Sequence, residues 1–131
     1  MISDSIKEEI IGKLSPKKPY KLILFGSQAY GNTGQESDID LLVVLNKKGI
    51  PATYKEKSDN YLEINRLLRR INKNISMDIM VMTKTQWERF IEMDSGFSRE
   101  IMAKGVHLIW KQLLENGWDL PKMTWRQLIS Y

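Results

Sequence analysis

Cysteine is absent from this chain of 131 residues. That excludes disulfides and Cys-based zinc sites. No apolar run approaches the length of a membrane span, and residues 1–20 lack the apolar core of a signal peptide. The reading that follows is a cytoplasmic protein with no membrane partner. Internal repeats and low-complexity segments are also missing. Charge of a single sign is missing too, because 20 basic and 16 acidic residues are largely interleaved. The net charge of +4 permits an anionic partner without demanding one.

What is present is an ordinary globular composition, 42% hydrophobic and 27% charged, in a chain of one-domain size. Residues 3–14, "SDSIKEEIIGKL", carry Ile6, Ile10, Ile11 and Leu14 at helical spacing, with Ser3 or Ser5 as the cap. Pro16 and Pro19 end that helix. "YKLILF" (20–25) and "DIDLLVVL" (38–45) read as strands around a connector of turn formers, "QAYGNTGQES". The longest helix is predicted over 52–74, with Tyr61, Ile64, Leu67, Leu68 and Ile71 on its apolar side. Arg66, Arg69, Arg70 and Lys73 then read as a solvated helix face.

"ISMDIMVMT" (75–83) is a third strand, in which Met77, Met80 and Met82 read as core. Thr83 or Thr85 caps a helix through "QWERFIEM", and "SGFSREIMAKG" gives another, stopped at Gly105. "VHLIW" (106–110) is a short fourth strand, and its His107 reads as a core or edge histidine. Residues 111–131 read as helix, Pro-containing break and short helix. Trp118, Trp125 and Tyr131 there either cover the sheet or form a protein-binding surface. Strands alternating with helices predict an α+β (mixed α/β) domain, its central sheet flanked by helices. Strand order and direction are not legible in this pattern.

Two aspartates at the entrance of a core strand need a reason, because burying charge costs several kcal/mol unless it is paired or metal-bound. Residues i and i+2 of a strand share a face, roughly 6.5–7 Å apart. Asp38 and Asp40 therefore project together, away from Ile39, Leu41 and Val43. A hard divalent cation such as Mg²⁺ takes such oxygen ligands and completes its shell with phosphate and water. Asp78 interrupts the third run on the face of Met80 and Met82. Beside the pair it could bind metal or accept a proton from an attacking hydroxyl. Gly26-Ser27 ends the first strand, where glycine permits close backbone approach and the serine hydroxyl adds a donor for phosphate. The connector then sets the distance from this phosphate cradle to the carboxylates.

Gly26-Ser27, ten residues, then Asp38-Ile39-Asp40 resembles the Gly-Ser-x10-Asp-x-Asp signature of the DNA polymerase β-like nucleotidyltransferase superfamily. Such a pattern arises by chance on the order of once per thousand chains of this length, so the spacing is informative. "SDIDLLVV" looks like the minimal nucleotidyltransferase branch, which includes the antitoxins of HEPN–nucleotidyltransferase toxin–antitoxin pairs. Asp78 on "MDIMVMT" matches the family's third carboxylate, and "SREIMAKGVHLIW" resembles the end of its core. The resemblance implies a polymerase β-like fold with a mixed sheet, a core over residues 1–110 and a helical extension over 111–131.

It further implies a protein adenylyltransferase-like enzyme. AMP would pass from ATP to a hydroxyl, most simply a Tyr of a partner HEPN toxin, with two Mg²⁺ ions. Asp38, Asp40 and Asp78 are then the catalytic and metal-binding residues, and Gly26 and Ser27 bind phosphate. A homo- or hetero-oligomer fits this picture, and direct nucleic-acid binding is not expected. The alternatives are an antitoxin acting by stoichiometric contact alone, or a small-molecule (aminoglycoside-type) nucleotidyltransferase. Where many relatives carry a basic residue soon after Gly-Ser, this chain has Gln28, Ala29 and Tyr30, and no Lys or Arg lies between residues 22 and 46. Lys47, Lys48, Lys84 or the basic side of the 52–74 helix are the remaining candidates for neutralising a triphosphate.

Overall fold

The structure, a computed structural model, describes residues 4–26 and 38–110. Ser3, Ser27, the connector through residue 37, and the 111–131 extension with Trp118, Trp125 and Tyr131 lie outside the described residues.

Two runs make the centre of the sheet: β1, Lys21–Phe25, and β2, Ile39–Leu45. Nearly every residue in both is buried, which is what an unbroken apolar run provides when a strand is covered on both faces. They pair antiparallel, from Lys21 opposite Val44 to Phe25 opposite Asp40. On the far side of β2 lies β3, Met77–Thr83, parallel and in register from Ile39 opposite Met77 to Leu45 opposite Thr83. The short β4, Val106–Trp110, runs antiparallel to β1 with an irregularity between Leu22 and Ile23. Among the described residues the sheet is therefore mixed, in the order β3-β2-β1-β4.

Parallel neighbours need a crossover, and α2, Tyr54–Asn74, supplies it between β2 and β3. Thr53 caps α2 by accepting from the Glu56 N–H, while the Glu56 carboxylate accepts from the Ala52 N–H. With α1, Asp4–Leu14, it covers one face of the sheet. Ile10, Ile11 and Leu14 of α1 and Ile64, Leu68 and Ile71 of α2 pack there on Leu22, Leu24, Leu41 and Val43. One expectation shifts: Tyr61 is exposed, and Asn60 takes the buried turn position, its Oδ1 accepting from Lys47 Nζ at 3.0 Å.

The other face, built on Ile23, Leu42 and Val44, is covered by α3, Lys84–Glu92, and α4, Gly96–Lys104, through Trp87 and Ile101. Thr83 caps α3 in a full capping box with Gln86, and Ser95 caps α4. Gly105 ends α4 for lack of room: a Cβ there would stand 2.5 Å from the Ile101 carbonyl oxygen and 2.8 Å from Ile23 Cγ2. Among the described residues no helix is long and apolar enough to cross a membrane.

Candidate active site

Alternation along the strands decides where the acidic side chains go. Asp40 shares a face with Leu42 and Val44, and Asp78 with Met80 and Met82, on the side covered by α3 and α4. The parallel register sets Asp40 directly beside Asp78, and neighbouring strands lie about 4.8 Å apart. Asp38 immediately precedes β2 and is exposed, as is Asp78, whereas Asp40 is half-buried. Burial above all, then the charges of Asp78 and Asp38, pushes the Asp40 carboxyl above its ordinary range. The three acids named from the sequence thus act on one another through Asp40.

Among the described residues, no group of three or more acidic or histidine side chains forms a ready-made metal cage. Two neighbouring carboxylates in a partly desolvated place nonetheless suit Mg²⁺, which commonly takes one or two protein carboxylates and leaves its other positions to water and phosphate. A divalent cation would also relieve the repulsion concentrated on Asp40. The donor set fits the ion.

Gly26 follows β1 with φ of +76°, in the left-handed region. A Cβ at this position would overlap Oδ2 of Asp40 and stand 3.0 Å from its Cγ. Gly26 therefore supplies the space in which the Asp40 carboxylate rests, in addition to any contact with phosphate. The two meet because Phe25 pairs with Asp40 across the β1–β2 ladder. Strand register, rather than the length of the connector, fixes the distance between Gly26 and the carboxylate. Ser27 lies outside the described residues.

An aromatic wall stands on the same face. Phe25, opposite Asp40, meets Phe97 edge-on at 5.6 Å, and Phe97 meets Phe90 at 5.6 Å. Phe97 keeps 40% of its surface exposed beside the acidic end of the sheet. Nothing in the sequence linked Phe25 to Phe97, since only the docking of α4 brings them together. The lysines considered for neutralising a triphosphate go elsewhere. Lys47 follows the C-terminal end of β2, about 20 Å along the strand direction from Asp40. The Lys84 N–H donates to the Lys47 carbonyl, so Lys84 is at that far end too, its ammonium over the Tyr20 ring.

A profile of the family described as Polymerase beta, Nucleotidyltransferase matches residues 8–112. Among solved structures, a crystal structure of a toxin–antitoxin with AMP-PNP is similar, at 17% identity, covering 84% of this chain and 77% of that chain with a TM-score of 0.48. No curated protein matches.

Proposed function

Because the chain belongs to the polymerase β nucleotidyltransferase family, we propose that it transfers a nucleoside monophosphate from a nucleoside triphosphate to a hydroxyl acceptor. The observation that carries this reading is Asp40 in register with Asp78 and seated against Gly26. In the reaction the acceptor oxygen bonds to the α-phosphorus, the bond from that phosphorus to the bridging oxygen breaks, and pyrophosphate leaves. Asp38 and Asp40 would hold Mg²⁺, and Asp78 would complete the acceptor side. Bound Mg²⁺ supplies neutralisation of the triphosphate charge. Asp78, exposed at the strand end, is open to an acceptor arriving from solvent and would take its proton. Gly26 and Ser27 would contact phosphate through backbone N–H groups and the serine hydroxyl.

ATP is the proposed donor, and a tyrosine of a HEPN-type toxin the proposed acceptor, so that the chain acts as an antitoxin of the minimal nucleotidyltransferase branch. The "SDIDLLVV" likeness supports that assignment, as does the reach of Asp78 toward solvent. A second reading has its own observation. Lys47 and Lys84 are remote from Asp40, which favours a partner-binding antitoxin that transfers nothing.

One experiment separates them. The protein is incubated with labelled ATP, Mg²⁺ and the candidate toxin, alongside Asp40→Asn. Label on the toxin that disappears with Asp40→Asn is the expected result. A toxin that stays unlabelled while binding both forms equally would establish the second reading.

A further inference from the structure

We propose that the groove between α1 and α2, on the face of the sheet opposite Asp40, binds a single nucleic-acid strand through its phosphates. The groove has a volume of about 380 Å³ and is lined by Lys13 of α1, by Arg66, Arg69, Arg70 and Lys73 of α2, and by Leu67. The α2 residues follow the i, i+3, i+4, i+7 pattern, a stripe about 10 Å long. Lys13 stands on the other wall, 53 residues away in sequence, which is why α2 alone reads as a solvated face.

Like charges four apart weaken a helix by a few tenths of a kcal/mol per pair. Arg66 with Arg70 and Arg69 with Lys73 are two such pairs. No acid offsets them: among the described residues none of the five cations makes an ion pair or hydrogen bond. Just beyond the groove, by contrast, Lys17 pairs with Glu63 at 2.8 Å.

The lining chooses among anionic partners. Protein interfaces centre on buried aromatic or aliphatic anchors with charge at the rim, and here, among the described residues, Leu67 is the only apolar one in the lining, and it packs against the core. Among the described residues the lining also offers no aromatic ring on which a base could stack. Three of the five cations are arginines, whose planar forks match phosphate oxygens. The volume lies at the small end of ligand pockets, room for the backbone of one strand. The ligand is therefore held by its backbone and not by its bases. This inference is independent of the transfer reaction, because α1 and α2 cover the face of Leu41 while Asp40 projects from the other.

The test is fluorescence anisotropy of a labelled 12-nucleotide RNA of mixed sequence with the full chain, titrated across salt. Binding should weaken with a log–log slope of magnitude about 3.5 if all five cations engage. Arg66→Gln/Arg70→Gln should lose at least tenfold in affinity at low salt and lower the slope by about 1.4. Lys13→Gln, on the separate helix, should lower the slope by about 0.7. Asp40→Asn should bind as the parent does, and DNA of the same length should match RNA. Absence of salt-dependent binding would overturn the proposal, as would full retention in both groove variants. Equal competition by a poly-glutamate peptide would also overturn it, in favour of an acidic protein surface.

Discussion

At Asp40 a carboxylate is held half out of water between two others, and that arrangement acts against the folded state. Its proton is bound more tightly in the fold than in the unfolded chain. The folded state therefore holds the extra proton above the ordinary carboxyl pKa, and stability falls as pH rises through that window. Above that window the cost is present in full. Asp40→Asn should consequently raise the melting temperature of the metal-free protein, by about 3–5 °C for each kcal/mol released. Added Mg²⁺ should raise the melting temperature of the parent and leave Asp40→Asn unchanged. Scanning calorimetry with chelator and then with Mg²⁺ reads both effects. The acids themselves were legible in the sequence, because alternation assigns Asp40 and Asp78 to faces before any neighbour is known. The hollow at Gly26 was not, since it is defined by a side chain on another strand.

Between elements, the junction of β3 and α3 concentrates several bonds on one residue. The Thr83 hydroxyl accepts from the Gln86 N–H at 3.1 Å and donates to the Gly49 carbonyl at 2.7 Å, while Gln86 Oε1 accepts from the Thr83 N–H. Thr83→Ala should therefore destabilise the protein by about 1–2 kcal/mol, seen as a lower urea midpoint, and Thr83→Ser should keep most of it. Elements of this kind were largely readable. Apolar runs marked β1 and β2 as strands, and Pro16, Thr83 and Gly105 punctuated the helices. Pairing was not readable, because the parallel partnership of β2 with β3 depends on how α2 packs. The displacement of Tyr61 by Asn60 has a similar origin: Asn60 meets Lys47, a contact between separate elements. Periodicity shows that a helix has an apolar side without fixing its rotation to the residue.

For the molecule as a whole, acid stability should turn on the β1–β4 edge. His107 is held at a pKa of about 4 by burial, with the Lys21 charge adding to the effect. Above pH 6.5 both folded and unfolded states leave it neutral. Below that the unfolded chain takes up a proton that the folded one refuses until about pH 4. Stability is therefore lost as pH falls through this window. Asp40 works in the opposite direction, so the informative comparison is the parent against His107→Gln. The variant should show a flatter dependence of the urea midpoint between pH 6.5 and 4. A core or edge histidine was the sequence expectation, whereas the neighbouring Lys21 that deepens its shift required the pairing of β1 with β4.

The meeting of Gly26 and Asp40 across paired strands has a consequence for how such a centre can diversify. The carboxylate keeps its seat through a ladder, and loop closure costs rise only slowly with length. Connectors of different length and chemistry could therefore be exchanged between Ser27 and Asp38 as cassettes without moving the acids. Recognition would vary in the cassette while the reactive geometry passed on unchanged in the strands.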